Sequence, residues 1–206
     1  MTKIKLCGMF READIEAANE IRPDYIGFVL ARRGHRQVTA ERAMALRRRL
    51  AGGIQVVGVF VNQPPEEIAA LLDAGVVDIA QLHGGEPGET VARLRALTKA
   101  PIFKAFSVTD AESLNAARAS GADRVLLDCG AGGTGRAFDW SLLEGFDRPY
   151  LLAGGLSPEN VEAAVLGLRP WGVDVSSGIE TDRIKDPAKM RAFVEAVRRA
   201  DCRIQA

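Results

Sequence analysis

Two stretches late in the chain decide the architecture: Tyr150-Leu151-Leu152-Ala153-Gly154-Gly155-Leu156-Ser157-Pro158-Glu159-Asn160 and Val173-Asp174-Val175-Ser176-Ser177-Gly178. Each is a short apolar run that ends in glycine and small polar residues. The Gly154-Gly155 pair lets the backbone approach an anion closely, and a helix starting at Ser157-Pro158 aims unpaired N–H groups at it. Ser177-Gly178 adds a hydroxyl and another backbone donor, so the two loops together read as a phosphate seat. Working outward, six earlier apolar runs repeat the pattern, predicting strands over 4–8, 25–30, 56–61, 79–83, 102–106 and 125–129 ahead of those at 150–153 and 173–176. Most are continuous in Val, Ile and Leu where a half-exposed sheet would alternate, which implies a parallel sheet covered on both faces.

Helical stripes separate the runs. Ile68, Leu71 and Leu72 share a face, as do Val161, Ala164, Val165 and Leu168, and later Met190, Phe193, Val194 and Val197. Ser157-Pro158 and Asp186-Pro187 each read as a polar cap followed by a proline that needs no backbone donor, and Asp139-Trp140 as the start of a short helix with the Trp as packing. Strand and helix alternating eight times leaves a closed barrel or an open doubly wound sheet. Phosphate-type loops after the last two strands favour closure, because an open sheet usually carries its nucleotide loop after the first. The expected fold is therefore a single-domain (β/α)8 TIM barrel over residues 1–206.

The 206 residues are 47% hydrophobic and 26% charged with a formal net charge of +0, an ordinary globular balance that gives no reason to expect nucleic acid or an acidic membrane. Arg47-Arg48-Arg49 and Arg198-Arg199 read as solvated helix faces. No stretch has the apolar length of a membrane span, and a strand-like segment follows the N-terminus at once, so the reading is a cytoplasmic chain. Three cysteines, Cys7, Cys129 and Cys202, an odd number with no close spacing, suggest neither a disulfide framework nor a zinc knuckle, and with only His35 and His83 available a His-rich metal site cannot be assembled, which leaves a carboxylate site as the alternative to none.

Side chains alternate along a strand, so Lys5 and Cys7 share one face, Leu126 and Asp128 another, Gln81 and His83 a third. Cys7 sits at the downstream end of its strand, where barrel enzymes place catalytic groups. Its thiolate is the reactive form, and since a free thiol titrates near about 8.5, a nearby cation such as Lys5 would favour ionisation. A buried structural thiol is the alternative. Asp128 is a candidate general acid if partial desolvation holds its proton, or else a cap for the loop at 130–135. Cys129, pointing away from that face, and Cys202 read as bland. Asp174 is placed to hydrogen-bond a substrate amine or sugar hydroxyl.

At these residues the chain resembles the phosphoribosylanthranilate isomerases of tryptophan biosynthesis. The likeness runs through Lys5-Leu6-Cys7-Gly8, Asp24-Tyr25-Ile26-Gly27-Phe28, Val57-Gly58-Val59-Phe60-Val61-Asn62, Gln81-Leu82-His83-Gly84, Leu127-Asp128, Gly132-Gly133-Thr134-Gly135, Ala153-Gly154-Gly155-Leu156 with Asn160-Val161, and Val173-Asp174-Val175-Ser176-Ser177-Gly178-Ile179-Glu180 with Lys185-Asp186. It implies an Amadori rearrangement without a metal or organic cofactor. It puts the general base on Cys7 and the general acid on Asp128, and substrate contacts on Arg36, His83, Gly154, Gly155, Asp174, Ser177 and Gly178. Arg36 takes the anthranilate carboxylate, with Arg32 and Arg33 nearby in sequence as the alternatives, and the loop at 132–135 closes over the substrate. The implied partner is a small phosphosugar, bound by a monomer or homodimer.

The chain departs from the family pattern twice: Gly34-His35-Arg36 stands where Ser-Pro-Arg is usual, and Arg183-Ile184 replaces the Gly before the late Lys-Asp pair, in what reads as a peripheral loop. Rival readings are another phosphosugar barrel, such as an indole-glycerol-phosphate synthase or a pentulose-phosphate epimerase, or a catalytically silent phosphosugar-binding domain. Cys7 argues against the first two, whose catalytic lysines, or paired acidic bases with metal-binding histidines, are not laid out here, and the joint presence of Cys7 and Asp128 favours an enzyme over the third.

Overall fold

Eight parallel strands close on themselves in chain order, each hydrogen-bonded to the next and the last to the first. This computed structural model describes residues 1–31, 34–129 and 140–205. The strands are β1 (Lys3–Cys7), β2 (Tyr25–Val29), β3 (Gln55–Phe60), β4 (Ile79–Leu82), β5 (Ile102–Ser107), β6 (Arg124–Asp128), β7 (Tyr150–Ala153) and β8 (Gly172–Val175). All eight coincide with the predicted runs to within a residue at either end. The seam pairs Lys5 with Asp174 across β1 and β8.

Among the described residues, seven α-helices cover the barrel: α1 (Glu12–Ile21), α2 (Ala40–Arg47), α3 (Pro65–Asp73), α4 (Gly88–Leu97), α5 (Ala111–Ala119), α6 (Val161–Leu168) and α7 (Pro187–Gln205). Their apolar stripes do what the periodicity requires, with Ile68, Leu72, Val161, Ala164, Val165, Met190, Phe193 and Val197 buried against the strands. Asp186 caps α7 as expected, its Oδ1 accepting from the Ala188 N–H at 2.9 Å. The short helix expected near Trp140 is present between β6 and β7 as a 3-10 turn, Trp140–Leu143, and Gly145 at φ 74 and Pro149 follow it. One expectation needs correction: α6 begins three residues after Ser157-Pro158, and Asn160 takes the cap position, its Oδ1 accepting from Ser157 N–H at 2.8 Å and its amide donating to Gly155 O at 2.9 Å. The side chain that closes this turn therefore also braces the Gly loop. Asp139 and the loop at 130–135 lie outside the described residues.

Inside the barrel, Tyr25, Val57, Ile79, Phe103, Ala105, Leu126, Leu151 and Ala153 form a packed core separate from the larger one between strands and helices. The end at which the strands begin is floored by Tyr25, Phe103 and Trp171, with ring centroids 6.1 to 6.4 Å apart, and Arg124 lies over the Trp171 ring. Above that floor the filling turns polar. Lys5, fully buried, and Asp174 join at 2.8 Å across the seam, a pair that only mutual neutralisation makes tolerable in such a place.

A hairpin follows β8 that the sequence reading treated as peripheral. After the turn Ser177–Ile179, β9 (Glu180–Thr181) and β10 (Ile184–Lys185) pair antiparallel through Asp182 and Arg183, both in left-handed backbone conformation. A glycine would meet that demand without strain, which explains why its replacement by Arg183 stands out.

Candidate active site

A cavity of about 290 Å³ opens where the strands end. Cys7, Arg36, His83, Asp128, Gly154, Gly155, Asp174 and Ser177 line it, with Val29, Val59, Ala153, Leu156, Val175 and Ser176. The thiol near the start of the chain and the carboxyl past its midpoint thus face one space. Gly178 is the one candidate outside this lining. A Cβ on it would fall 1.9 Å from the Leu156 carbonyl oxygen, so this glycine lets the eighth loop lie directly on the seventh. Arg32 and Arg33 lie outside the described residues.

Cys7 owes its position to two neighbours without side chains. Gly27, paired with it across β1 and β2, leaves the room its sulfur fills, and Gly8, at φ 79, turns the chain so that the Arg36 stem passes where a Cβ would stand. Burial pushes the thiol up from its ordinary range and Asp174 adds to this, while the Lys5 ammonium offsets part of it. Burial also disfavours the charged Lys5, yet Asp174 and Cys7 outweigh it and hold that amine above its usual value. Cys7 is therefore a thiol beside a fixed cation. Cys129 is different: burial, with Asp128 adding, pushes it up to about 12, which leaves it inert.

Asp128 is about a third exposed, and His83 Nε2 lies 3.5 Å from its Oδ2. A partner that the residues preceding Asp128 in sequence did not offer thus comes from His83, the residue directly after β4. The Gln81 amide nitrogen is 2.7 Å from His83 Nδ1; donation in that direction leaves the ring proton on Nε2, facing the carboxylate.

The Gly154-Gly155 turn has left-handed φ values of 89 and 65, and Ser177 opens the next loop beside it. The first N–H groups of a helical turn have no partner within it, so this wall presents donors to an anion. Asp174, read from sequence as a free acceptor, has its Oδ1 already engaged by Lys5.

The group that sequence reasoning missed lies behind Arg36. Glu180 takes the Arg36 guanidinium side-on, Nε to Oε1 at 2.6 Å and Nη2 to Oε2 at 2.7 Å. Lys185, fully buried, donates to Glu180 Oε1 at 2.7 Å, to Ser176 O at 2.8 Å and to Ser176 Oγ at 3.3 Å. Ser176 Oγ in turn donates to the Cys7 carbonyl at 3.2 Å. Burial alone would raise Glu180, but Arg36 and Lys185 bring it down to about 2. Glu180 and Lys185 both sit in the motif that carried the resemblance, which was the only signal for them. Among the described residues, no group of three or more His, Cys, Asp and Glu could hold a metal ion.

Residues 4–196 match the family model for N-(5'-phosphoribosyl)anthranilate (PRA) isomerase. The chain belongs to that family. A curated PRA isomerase from Stenotrophomonas maltophilia is 45% identical over 213 residues, covering 98% of this chain and 96% of the relative. The crystal structure of the Thermotoga maritima family member superposes with a TM-score of 0.86 at 32% identity, covering 96% of this chain and 99% of that one. Another family structure, in complex with reduced 1-(o-carboxyphenylamino)-1-deoxyribulose 5-phosphate, matches with a TM-score of 0.83 at 32% identity over 96% and 99% of the two chains. A 3-hexulose-6-phosphate synthase from Salmonella typhimurium, 18% identical with a TM-score of 0.74, shares the fold.

Proposed function

We propose that this protein is the isomerase that converts N-(5-phosphoribosyl)anthranilate to 1-(2-carboxyphenylamino)-1-deoxyribulose 5-phosphate in tryptophan biosynthesis, an intramolecular oxidoreduction of the aldose-ketose type. The observation that carries the reading is that Cys7 and Asp128 line one cavity with the two Gly-rich loops, in a chain whose family has this activity.

The phosphate sits against the loops at Gly154-Gly155 and Ser177. Their backbone donors and the Asn160-braced turn are suited to a dianion, and the close packing permitted by Gly178 holds the two loops together. At the other end, Arg36 offers its outer N–H edge to the anthranilate carboxylate. The sugar then lies between Asp128 and Cys7. Asp128, protonated, gives its proton to the furanose ring oxygen as the bond from that oxygen to C1 breaks, and the anthranilate nitrogen lone pair forms the C1=N bond. The iminium makes the proton on C2 acidic, and the Cys7 thiolate removes it. The electrons left on C2 form the C1–C2 double bond of an enolamine, which relaxes to the C2 ketone as C1 takes up a proton and the C2 hydroxyl gives one up. C1 is reduced and C2 oxidised within one molecule, so the electron count closes.

Two features of the site serve this sequence. Lys5 favours the anionic sulfur that the second step needs, and a carboxylate-bearing, phosphorylated sugar supplies binding energy at both ends to hold its middle between acid and base. His83, facing Asp128, is placed to steady that group as it changes charge. The test is to generate phosphoribosylanthranilate in situ and follow the loss of anthranilate fluorescence. Turnover should collapse in Cys7→Ser and Asp128→Asn; turnover untouched by either substitution would mean the roles are misassigned.

A further inference from the structure

Arg36 is already spoken for. Glu180 holds it side-on through two short hydrogen bonds, and a guanidinium paired with a carboxylate carries no net charge. A neutral pair is a poor receptor for a second carboxylate. The structure adds Lys185, a fully buried amine from the hairpin after β8, on the far side of Glu180. Three oxygen acceptors surround its Nζ, matching the three donors of an ammonium; a neutral amine would have only two. Two cations around one carboxylate leave one positive charge, and the free edge of Arg36 is where the cavity meets it.

We propose that Lys185 is a specificity-determining residue that acts through Arg36: by cancelling Glu180, it gives the site its preference for a substrate bearing a carboxylate, which it does not itself touch. This deepens the functional reading above and rests on it. The neighbouring groups do not substitute for Lys185. His35 Nε2 lies 3.9 Å from Glu180 Oε2, but burial, Arg36 and Arg183 hold that ring below its ordinary value, so it is neutral at physiological pH. Lys189 donates to the Glu180 backbone carbonyl instead of the carboxylate, and Arg183 is directed at His35. Arg11 binds the Lys185 carbonyl, which fixes the hairpin in place and leaves the charge count around the carboxylate unaltered.

The experiment compares two substrates made in situ from ribose 5-phosphate: the anthranilate adduct and its aniline counterpart, which lacks the carboxylate. In Lys185→Gln, kcat/KM for the anthranilate substrate should fall by roughly ten- to a hundredfold, mainly through KM, while the aniline substrate changes by less than about threefold. Lys185→Arg should restore most of the loss. The double variant Lys185→Gln with Glu180→Gln also returns the cluster to one net positive charge and should recover the preference for the carboxylate; its matched side chains also cover the case in which the single variant folds poorly. Equal losses on both substrates, or a double variant no better than the single, would overturn the proposal. A wild-type protein inactive on both substrates would bring down the functional reading and this inference together. Wild-type turnover with parallel losses would bring down the inference alone.

Discussion

Gly27 and Cys7 stand opposite each other across β1 and β2, and the sulfur occupies the space that a side chain on Gly27 would need: a Cβ there would lie 2.7 Å from Sγ. The Cys7 Cα and Cβ would stand at 3.2 and 3.3 Å, so turning the sulfur away does not free the space. Gly27→Ala should therefore displace the thiol. We expect kcat to drop by about a hundredfold, the usual consequence of an ångström-scale misplacement of a reacting group, with a stability loss of about 1–3 kcal/mol from overpacking. Steady-state kinetics alongside urea unfolding would measure both, and an unchanged kcat would show that the sulfur's position does not matter.

The three thiols should separate cleanly in a labelling time course at neutral pH. Cys202 is exposed and should react first; Cys129, buried and held at about 12, should react only on unfolding. Cys7, buried in the cavity wall, should label slowly and be protected by a product analogue. Mass mapping of the labelled peptides settles the order, and protection of Cys202 instead of Cys7 would contradict the placement of the site.

Removing the cation beside the thiol should move its titration upward. Without Lys5, burial and Asp174 remain to disfavour the thiolate, so the rising acidic limb of the kcat/KM profile shifts to higher pH in Lys5→Met. The same change leaves Asp174 buried without its partner and should cost about 3–5 kcal/mol of stability, which Asp174→Asn in the same chain relieves. A pH profile identical to wild type would remove Lys5 from the chemistry.

Glu180 predicts a contribution to acid stability with a definite sign. Its folded value of about 2 lies below the ordinary 4.5, so the folded state is favoured while the group is ionised in both states. That contribution, about 3 kcal/mol by linkage, is fully present above pH 4.5 and fades as the pH falls toward 2. Denaturation followed across that window should show Glu180→Gln with a flatter acid dependence than wild type. Parallel curves would mean the carboxylate is not held by its two cations.

What the sequence made legible follows from how local each signal is. A strand buried on both faces must be apolar throughout, so Val56-Val57 and Leu126-Leu127 announced β3 and β6 without outside help. Cys7, Asp128 and the Gly154-Gly155 turn were readable because each stands at the end of such a run. Glu180 and Lys185 were not readable by pattern, because their meaning comes from Arg36, which lies 144 residues before Glu180 in the chain. The late start of α6 has a similar cause. Ser157-Pro158 has the composition of a cap, but Asn160 reaches back to Gly155 and takes that position. Asp174 looked available only because its neighbour on the closing strand pair, Lys5, belongs to the other end of the sequence.

The rings of Tyr25, Phe103 and Trp171, meeting edge to face or tilted, fill the barrel among the described residues at the end opposite the cavity. Substrate and ketone product then share the rim where the strands end, one after the other. Product inhibition should then be strictly competitive, and turnover can run no faster than the opening clears for the next arrival.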